Sequence, residues 1–201
     1  MRYTGPKARL CRREGVNLFG NEKYTKIMRN SGSRPGMHGE RYAKLSEYGR
    51  QLREKQKARS IFGISEKQFH NYYKKAVRQP GQSGENLLRL LELRLDNVMY
   101  VSQFAVTRLQ ARQQVGHGHF LLNGRRVDIP SIQVQAGDKI QVRPKLKTSP
   151  LYQGFEKLKD YSPKWMKVDL KNLMIEITDI PQADELEKSV DSKLIVEFYS
   201  R

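Results

Sequence analysis

Between Arg94 and Gly124 the chain reads RLDNVMYVSQFAVTRLQARQQVGHGHFLLNG, a run that few folds can hold. Two short helical patterns meet across a tight connection. Thr107-Arg-Leu-Gln110 has the form of a capping box, so Thr107 opens the second helix. Gly116 is expected to close that helix in the left-handed conformation. His-Gly-His follows, then an apolar strand at Phe120–Leu122, then Asn123-Gly124, the strongest short-range hairpin signal. Downstream, Ile132 and Val134 alternate, Gly137-Asp138 turns, and Lys139–Arg143 alternates again. The fold predicted is α+β: two helices packed on a small, mostly antiparallel curved sheet.

The same run carries the chemistry. Arg108 and Arg112 are four residues apart, so they stand one above the other on a helix surface. Like charges at that spacing destabilise an isolated helix by ~0.2–0.5 kcal/mol, so an anionic partner is expected to offset them. Gln113, His117, His119, Asn123, Arg125 and Arg126 come next. A donor-rich helix face beside a hairpin makes a clamp for a phosphate backbone. A lone arginine on a helix is usually just solvated; the combination is what points to RNA.

Charge supports a polyanionic partner. The 201 residues hold 38 Lys+Arg against 21 Asp+Glu, a net charge of +17, with a pI near 10.0. Residues 1–60 carry 16 basic and 5 acidic side chains, whereas residues 149–201 carry 8 and 10. The polyanion should therefore lie against the first three-quarters, leaving the tail to be structural or to face a basic protein. No apolar run approaches the ~20 residues of a spanning helix, and the first residues, MRYTGPKARLCRREG, offer no apolar signal-peptide core. Cys11 is the single cysteine, which excludes an internal disulfide framework and makes a cytoplasmic location the default expectation.

Four segments are expected. Residues 1–42 hold scattered Gly, Pro and basic residues without a sustained period, and read as a basic extended arm ordered by its partner. Arg2, Lys7, Arg12 and Arg13 there are candidate RNA contacts. Residues 43–84 read as a helical domain. Ser46 is a candidate N-cap, Tyr48, Leu52 and Phe62 an apolar stripe, and Gly63 a stop. Ser65 to Gln68 opens a second helix by a capping box, with Phe69, Tyr72, Tyr73 and Ala76 apolar. Residues 85–148 are expected to form an RNA-binding segment, entered by a helix on Leu87, Leu88, Leu91, Leu95 and Val98 with Ser83 as cap. Residues 149–201 are a C-terminal extension. It has strand patterns at Met166–Val168, Leu173–Ile177 and Leu194–Tyr199 and a short helix near Ala183–Ser189.

Other chemistries find little support. His117-Gly-His119 lacks a third histidine or a cysteine nearby, so no metal is expected. No phosphate-cradling Gly-rich loop and no Ser/His/Asp or Cys/His grouping appears, so neither a cofactor nor a small-molecule substrate is expected. Glu92 and Asp96 are four apart, but Arg89 and Arg94 flank them and suggest salt bridges rather than acid–base chemistry.

The stretch Arg94–Gly124 resembles the RNA-binding module named after bacterial small-subunit ribosomal protein four. The segments RYTGPKARLCRREG, RPGMHGERYAKLSEYGRQLREKQKARSIFGISEKQFHNYY, NLLRLLELRLDNVMY and LIVEFYSR resemble that ribosomal family in the same order. The resemblance implies a primary assembly protein that binds the 5′ domain of small-subunit ribosomal RNA directly. It also implies a place beside other small-subunit proteins, along the path by which messenger RNA enters, and an influence on decoding accuracy. Contacts carried over by position fall on Arg94, Thr107, Arg108, Arg112, Gln113, His117, His119, Asn123 and Arg125, and on Tyr48, Gln51, Arg53, Lys55 and Arg59. Some relatives of the family bind zinc through an N-terminal cysteine cluster whose partners to Cys11 are absent from this sequence. The module also occurs in pseudouridine synthases, in a tyrosine-activating synthetase and in a small stress-type ribosome-binding protein. The enzymes need a catalytic domain that neither flank resembles; the stress protein needs neither the basic arm nor the LIVEFYSR ending.

Overall fold

The computed structural model describes residues 3–39, 45–153 and 163–201. Arg2 and the expected boundary at residues 42–43 lie outside the described residues. The chain forms two compact units, one of residues 1–87 with 188–201 and one of residues 88–187.

In the first unit, the segment expected to be an extended arm contains two helices, α1 (Lys7–Glu14) and α2 (Glu22–Asn30). Local capping builds them without a long apolar stripe. Gly15 closes α1 at φ 71°, donating its N–H to the Cys11 carbonyl at 2.8 Å. The Asn21 side chain accepts the Lys23 N–H at the start of α2. Cys11 and Leu18 are buried, so the segment is helical with buried apolar side chains rather than extended.

Helix α3 (Glu47–Ile61) starts at the expected cap, where Ser46 Oγ accepts the Gly49 N–H at 3.1 Å. Its buried face is Gln51, Lys55, Ala58 and Ile61; of the expected stripe, Phe62 just past the helix is buried, Leu52 is partly buried and Tyr48 is half exposed. Helix α4 (Glu66–Val77) opens on the Ser65/Gln68 capping box and buries Phe69, Tyr72 and Ala76. The segment Leu194–Tyr199, expected as a strand, belongs to helix α8 (Ser192–Tyr199) and packs against α3. A short apolar run cannot be assigned by periodicity alone. Here the Asp191 side chain caps the helix by accepting the Lys193 N–H, and Ile195 is fully buried.

Helix α5 (Ser83–Glu92) spans the junction of the two units, with Ser83 as its first helical residue rather than its cap. The second unit continues with α6 (Leu95–Val101) and α7 (Arg108–Gly116). Gly116 lies within α7. The left-handed residue that ends the turn is Gly118, at φ 66°. Five strands follow: β1 (Phe120–Leu122), β2 (Arg125–Val127), β3 (Lys139–Val142), β4 (Met166–Asp169) and β5 (Met174–Ile177). They pair antiparallel in the order β2-β1-β3-β5-β4. Phe120 sits opposite Val127 and Leu122 opposite Arg125, which leaves Asn123 and Gly124, both at positive φ, as a two-residue hairpin.

The inward side chains Phe120, Ile140, Val142, Ile175 and Ile177 join Leu95, Val98, Met99, Ala111 and Val115 in one core. Full burial of each large aliphatic side chain is worth roughly 1.5–3 kcal/mol. The Ile132–Val134 alternation yields a single bridge, Gln133 to Arg94, and residues 183–185 form one 3-10 turn in place of the expected short helix.

Candidate nucleic-acid interface

Arg94 caps the start of α6, and its side chain is 1% exposed. Its guanidinium grips Asp96 by two bonds, Nε to Oδ1 at 3.0 Å and Nη2 to Oδ2 at 2.7 Å. Expected among the RNA contacts, Arg94 is instead an interior residue. Arg112 Nη1 stands 3.7 Å from the same Asp96 Oδ2. Arg108 donates through Nε to Asn97 Oδ1 at 2.8 Å and through Nη2 to Glu187 Oε2 at 2.7 Å, and lies 4.5 Å above the Tyr100 ring. The anions that offset the Arg108/Arg112 pair in this structure are therefore Glu187 and Asp96 of this chain, where the spacing alone suggested an external partner. A ligand approaching α7 meets two guanidiniums already oriented, each still partly exposed.

Behind them, Glu92 is buried and accepts a short hydrogen bond from Asn97 Nδ2. Burial pushes its carboxyl up to about 7, against the opposing pull of Arg108 and Asn97. Glu92 is thus bonded to Asn97. Asp96 does take Arg94.

Past α7 the backbone turns at Gly118, whose positive φ and whose closeness to the Arg126 guanidinium leave little room for a side chain. Arg143 Nη1 donates to the Gly118 carbonyl at 3.2 Å. His117 is exposed, while His119 is half buried with Nδ1 2.9 Å from the Tyr152 hydroxyl. Arg125 and Arg126 are exposed on β2, an edge strand. Asn123 is occupied by its turn. Its Oδ1 accepts the Lys139 N–H at 2.9 Å, and its Nδ2 donates to Asp138 Oδ1 at 2.7 Å. Thr107 is occupied too, accepting the Gln110 N–H at 3.2 Å as the α7 cap.

Within the first unit, the expected contacts also divide. Lys55 is buried, with Nζ 2.9 Å from Glu66 Oε1 and 4.5 Å from the Phe198 ring centre. Gln51 is buried and donates to Glu197 at 3.0 Å. Arg53 pairs with Glu14 at 3.0 Å and Arg59 with Glu66 at 3.4 Å, both on partly exposed side chains. Arg12 donates to the Ser33 carbonyl at 3.0 Å, and Lys7 lies 5.7 Å from the Phe19 ring centre. Arg13 is exposed, and Tyr48 is half exposed between Phe198 and Arg201.

Of the second-unit residues singled out above, Arg108, Arg112 and Gln113 on α7, His117 after it, and Arg125 and Arg126 on β2 are at least partly exposed; Lys139, Lys145, Lys147, Lys164, Lys167 and Lys171 are exposed cations of the same unit as well. Arg143, which no motif in the sequence singles out, adds a further cation beside Gly118 from the end of the alternating Lys139–Arg143 pattern. Among the described residues no group of three or more potential metal ligands is found, and no helix is long and apolar enough to cross a membrane.

Comparison with known proteins fits this arrangement. Residues 93–140 match the family described as the S4 domain, and residues 2–92 match the ribosomal protein S4/S9 N-terminal domain. These matches define a class, the ribosomal proteins that carry an S4 domain. Small ribosomal subunit protein uS4 of Desulforamulus reducens is 50% identical over 207 residues, covering 100% of this chain and 99% of that protein. The uS4 protein of Desulfitobacterium hafniense is 51% identical with the same coverage, and uS4A of Clostridium botulinum is 47% identical over 204 residues. The chain belongs to the uS4 family of small ribosomal subunit proteins, a structural and non-enzymatic component of the ribosome.

Proposed function

We propose that this chain binds small-subunit ribosomal RNA directly, nucleates assembly of the 5′ domain, and sits near the path by which messenger RNA enters, where it contributes to accuracy. The observation that carries the RNA contact is the α7–hairpin face. Arg108 and Arg112 are oriented there by internal carboxylates, and Arg125 and Arg126 are exposed on an edge strand. Side chains fixed before binding lose less conformational entropy on meeting a phosphate backbone. Gln113, His117, His119 and Arg125 are the direct donors in this reading. Arg94, Thr107 and Asn123 act from behind by shaping α6, α7 and the turn. In the first unit Arg13, Tyr48, Arg53 and Arg59 meet RNA, while Gln51 and Lys55 hold α3 to its neighbours. Neighbouring small-subunit proteins and messenger RNA are further partners, and the cytoplasmic ribosome is the site of action.

The test is binding of the full chain to a 5′-domain ribosomal RNA fragment across a salt series. The logarithm of affinity should fall linearly with the logarithm of salt concentration. Arg125→Ala should weaken binding and shallow that slope by about one. A flat salt response, or an unchanged slope in the variant, refutes the electrostatic contact.

A further inference from the structure

Tyr152 lies 33 residues beyond His119 in sequence, and its hydroxyl meets His119 Nδ1 at 2.9 Å. Its ring is 4% exposed and stands edge-on to both His119 and Phe120, at 6.1 and 6.4 Å between centres. The His119 backbone is held at both ends: its N–H donates to the Gln114 carbonyl at 3.1 Å, and its carbonyl accepts the Arg143 N–H at 2.9 Å. The imidazole is therefore fixed by ring packing, backbone and one hydroxyl.

A phenol is a good donor and a weak acceptor, whereas an unprotonated imidazole nitrogen is a strong acceptor. The favoured sense of this bond is Tyr152 O–H to Nδ1, which places the ring proton on Nε2. We propose that Tyr152 is a positioning residue for RNA binding: it locks His119 in the neutral Nε2–H tautomer, so that Nε2–H is the donor offered to a phosphodiester oxygen. The proposal rests on the RNA reading given above.

The surroundings suit a neutral donor. His117 lies 6.0 Å away between ring centres, and the Arg126 and Arg143 guanidiniums both lie against Gly118. Such a cluster calls for an anion, and a charged imidazole would add to the repulsion among its members. Burial, together with His117 and Arg143, holds His119 below the usual histidine range, in keeping with a neutral ring.

The experiment uses the full chain, a 5′-domain ribosomal RNA fragment and four proteins: wild type, Tyr152→Phe, His119→Ala and the double variant. Ring nitrogen shifts from 15N NMR should show the Nε2–H tautomer in the wild type and a mixture in Tyr152→Phe. That variant, which keeps the packed ring, should bind RNA about 3- to 10-fold more weakly. In the His119→Ala background it should change nothing. Equal weakening in both backgrounds would reveal a purely structural tyrosine and overturn the proposal, as would an unchanged tautomer in Tyr152→Phe. Absence of RNA binding by the wild type would refute the RNA reading itself and this proposal with it. Normal wild-type binding with no loss in His119→Ala would refute only the role given to His119 and Tyr152.

Discussion

Asp96→Asn is the substitution with the sharpest expected consequence. The change is nearly isosteric and opens no cavity, so its effect reports on charge. In the native chain the Asp96 carboxylate receives two short bonds from the buried Arg94 and faces Arg112 at 3.7 Å. An asparagine removes the carboxylate that accepts both bonds from the buried Arg94 guanidinium, and breaking a buried pair in this way costs about 3–5 kcal/mol. Domains of this size have only about 5–15 kcal/mol in total, so the loss is a large fraction of stability. For a chain of this length it corresponds to a fall in Tm of roughly 6–20 °C.

The assay is provided by the sequence. Trp165 is the only tryptophan, and it is buried in the same core as Leu95 and Val98, so its fluorescence reads this unit. Two controls sharpen the test. Arg112→Gln removes the longer, partly exposed partner and should cost less than about 1 kcal/mol. Replacing both members, as Arg94→Met with Asp96→Leu, should recover most of the loss, because neither buried charge remains. A Trp165-monitored loss below about 1 kcal/mol in Asp96→Asn would refute the claim that Arg94 is an interior structural group.

Three further expectations follow from other parts of the molecule. The Glu92 carboxyl, raised from 4.5 to about 7, binds its proton more tightly in the folded state. The stability it confers is therefore present below pH about 4.5 and lost as pH rises to about 7; comparing wild type with Glu92→Gln by Trp165 fluorescence should show this component vanish in the variant, and parallel pH profiles would refute it. Tyr199→Phe removes a 2.7 Å bond to Glu66 while keeping the stack on Tyr73, and should cost about 1–2 kcal/mol in urea unfolding followed by circular dichroism, whereas an unchanged midpoint would remove Tyr199 from the network. Cys11 is buried and its thiol is pushed up by burial, so a thiol reagent should label it slowly in the native chain and rapidly in urea; prompt native labelling would contradict the packing of α1.

The sequence revealed most where local chemistry and tertiary packing agree. The Ser65/Gln68 box, the Thr107 cap and the Asn123-Gly124 hairpin lie where the residue types require them. Strands β3 and β5 follow alternation that one buried face enforces. Legibility failed where packing decided the outcome. Nothing local in a basic, glycine-dotted segment indicates that Cys11 and Leu18 will find a core, and LIVEFY is apolar enough for either strand or helix. Polar residues misled in a different way. Arg94 has the composition of a ligand contact, but only the fold brings the carboxylate of Asp96 around it and takes both out of water. Likewise Lys55 and Gln51 look like surface donors until α8 covers them.

The pairing of α3 with α8 has a consequence for biosynthesis. Gln51 and Glu197, which bond across that pair, are 146 residues apart. At roughly 5–20 residues per second, about 7–30 s separate the synthesis of the two. Residues 88–187, by contrast, are contiguous and have their own core. The later-made unit can therefore close while the earlier one still waits for its last helix. During that interval the face of α3 carrying Gln51 and Lys55 is unsheltered. A nascent chain that stalls before residue 192 would carry one finished unit and one that lacks its closing helix.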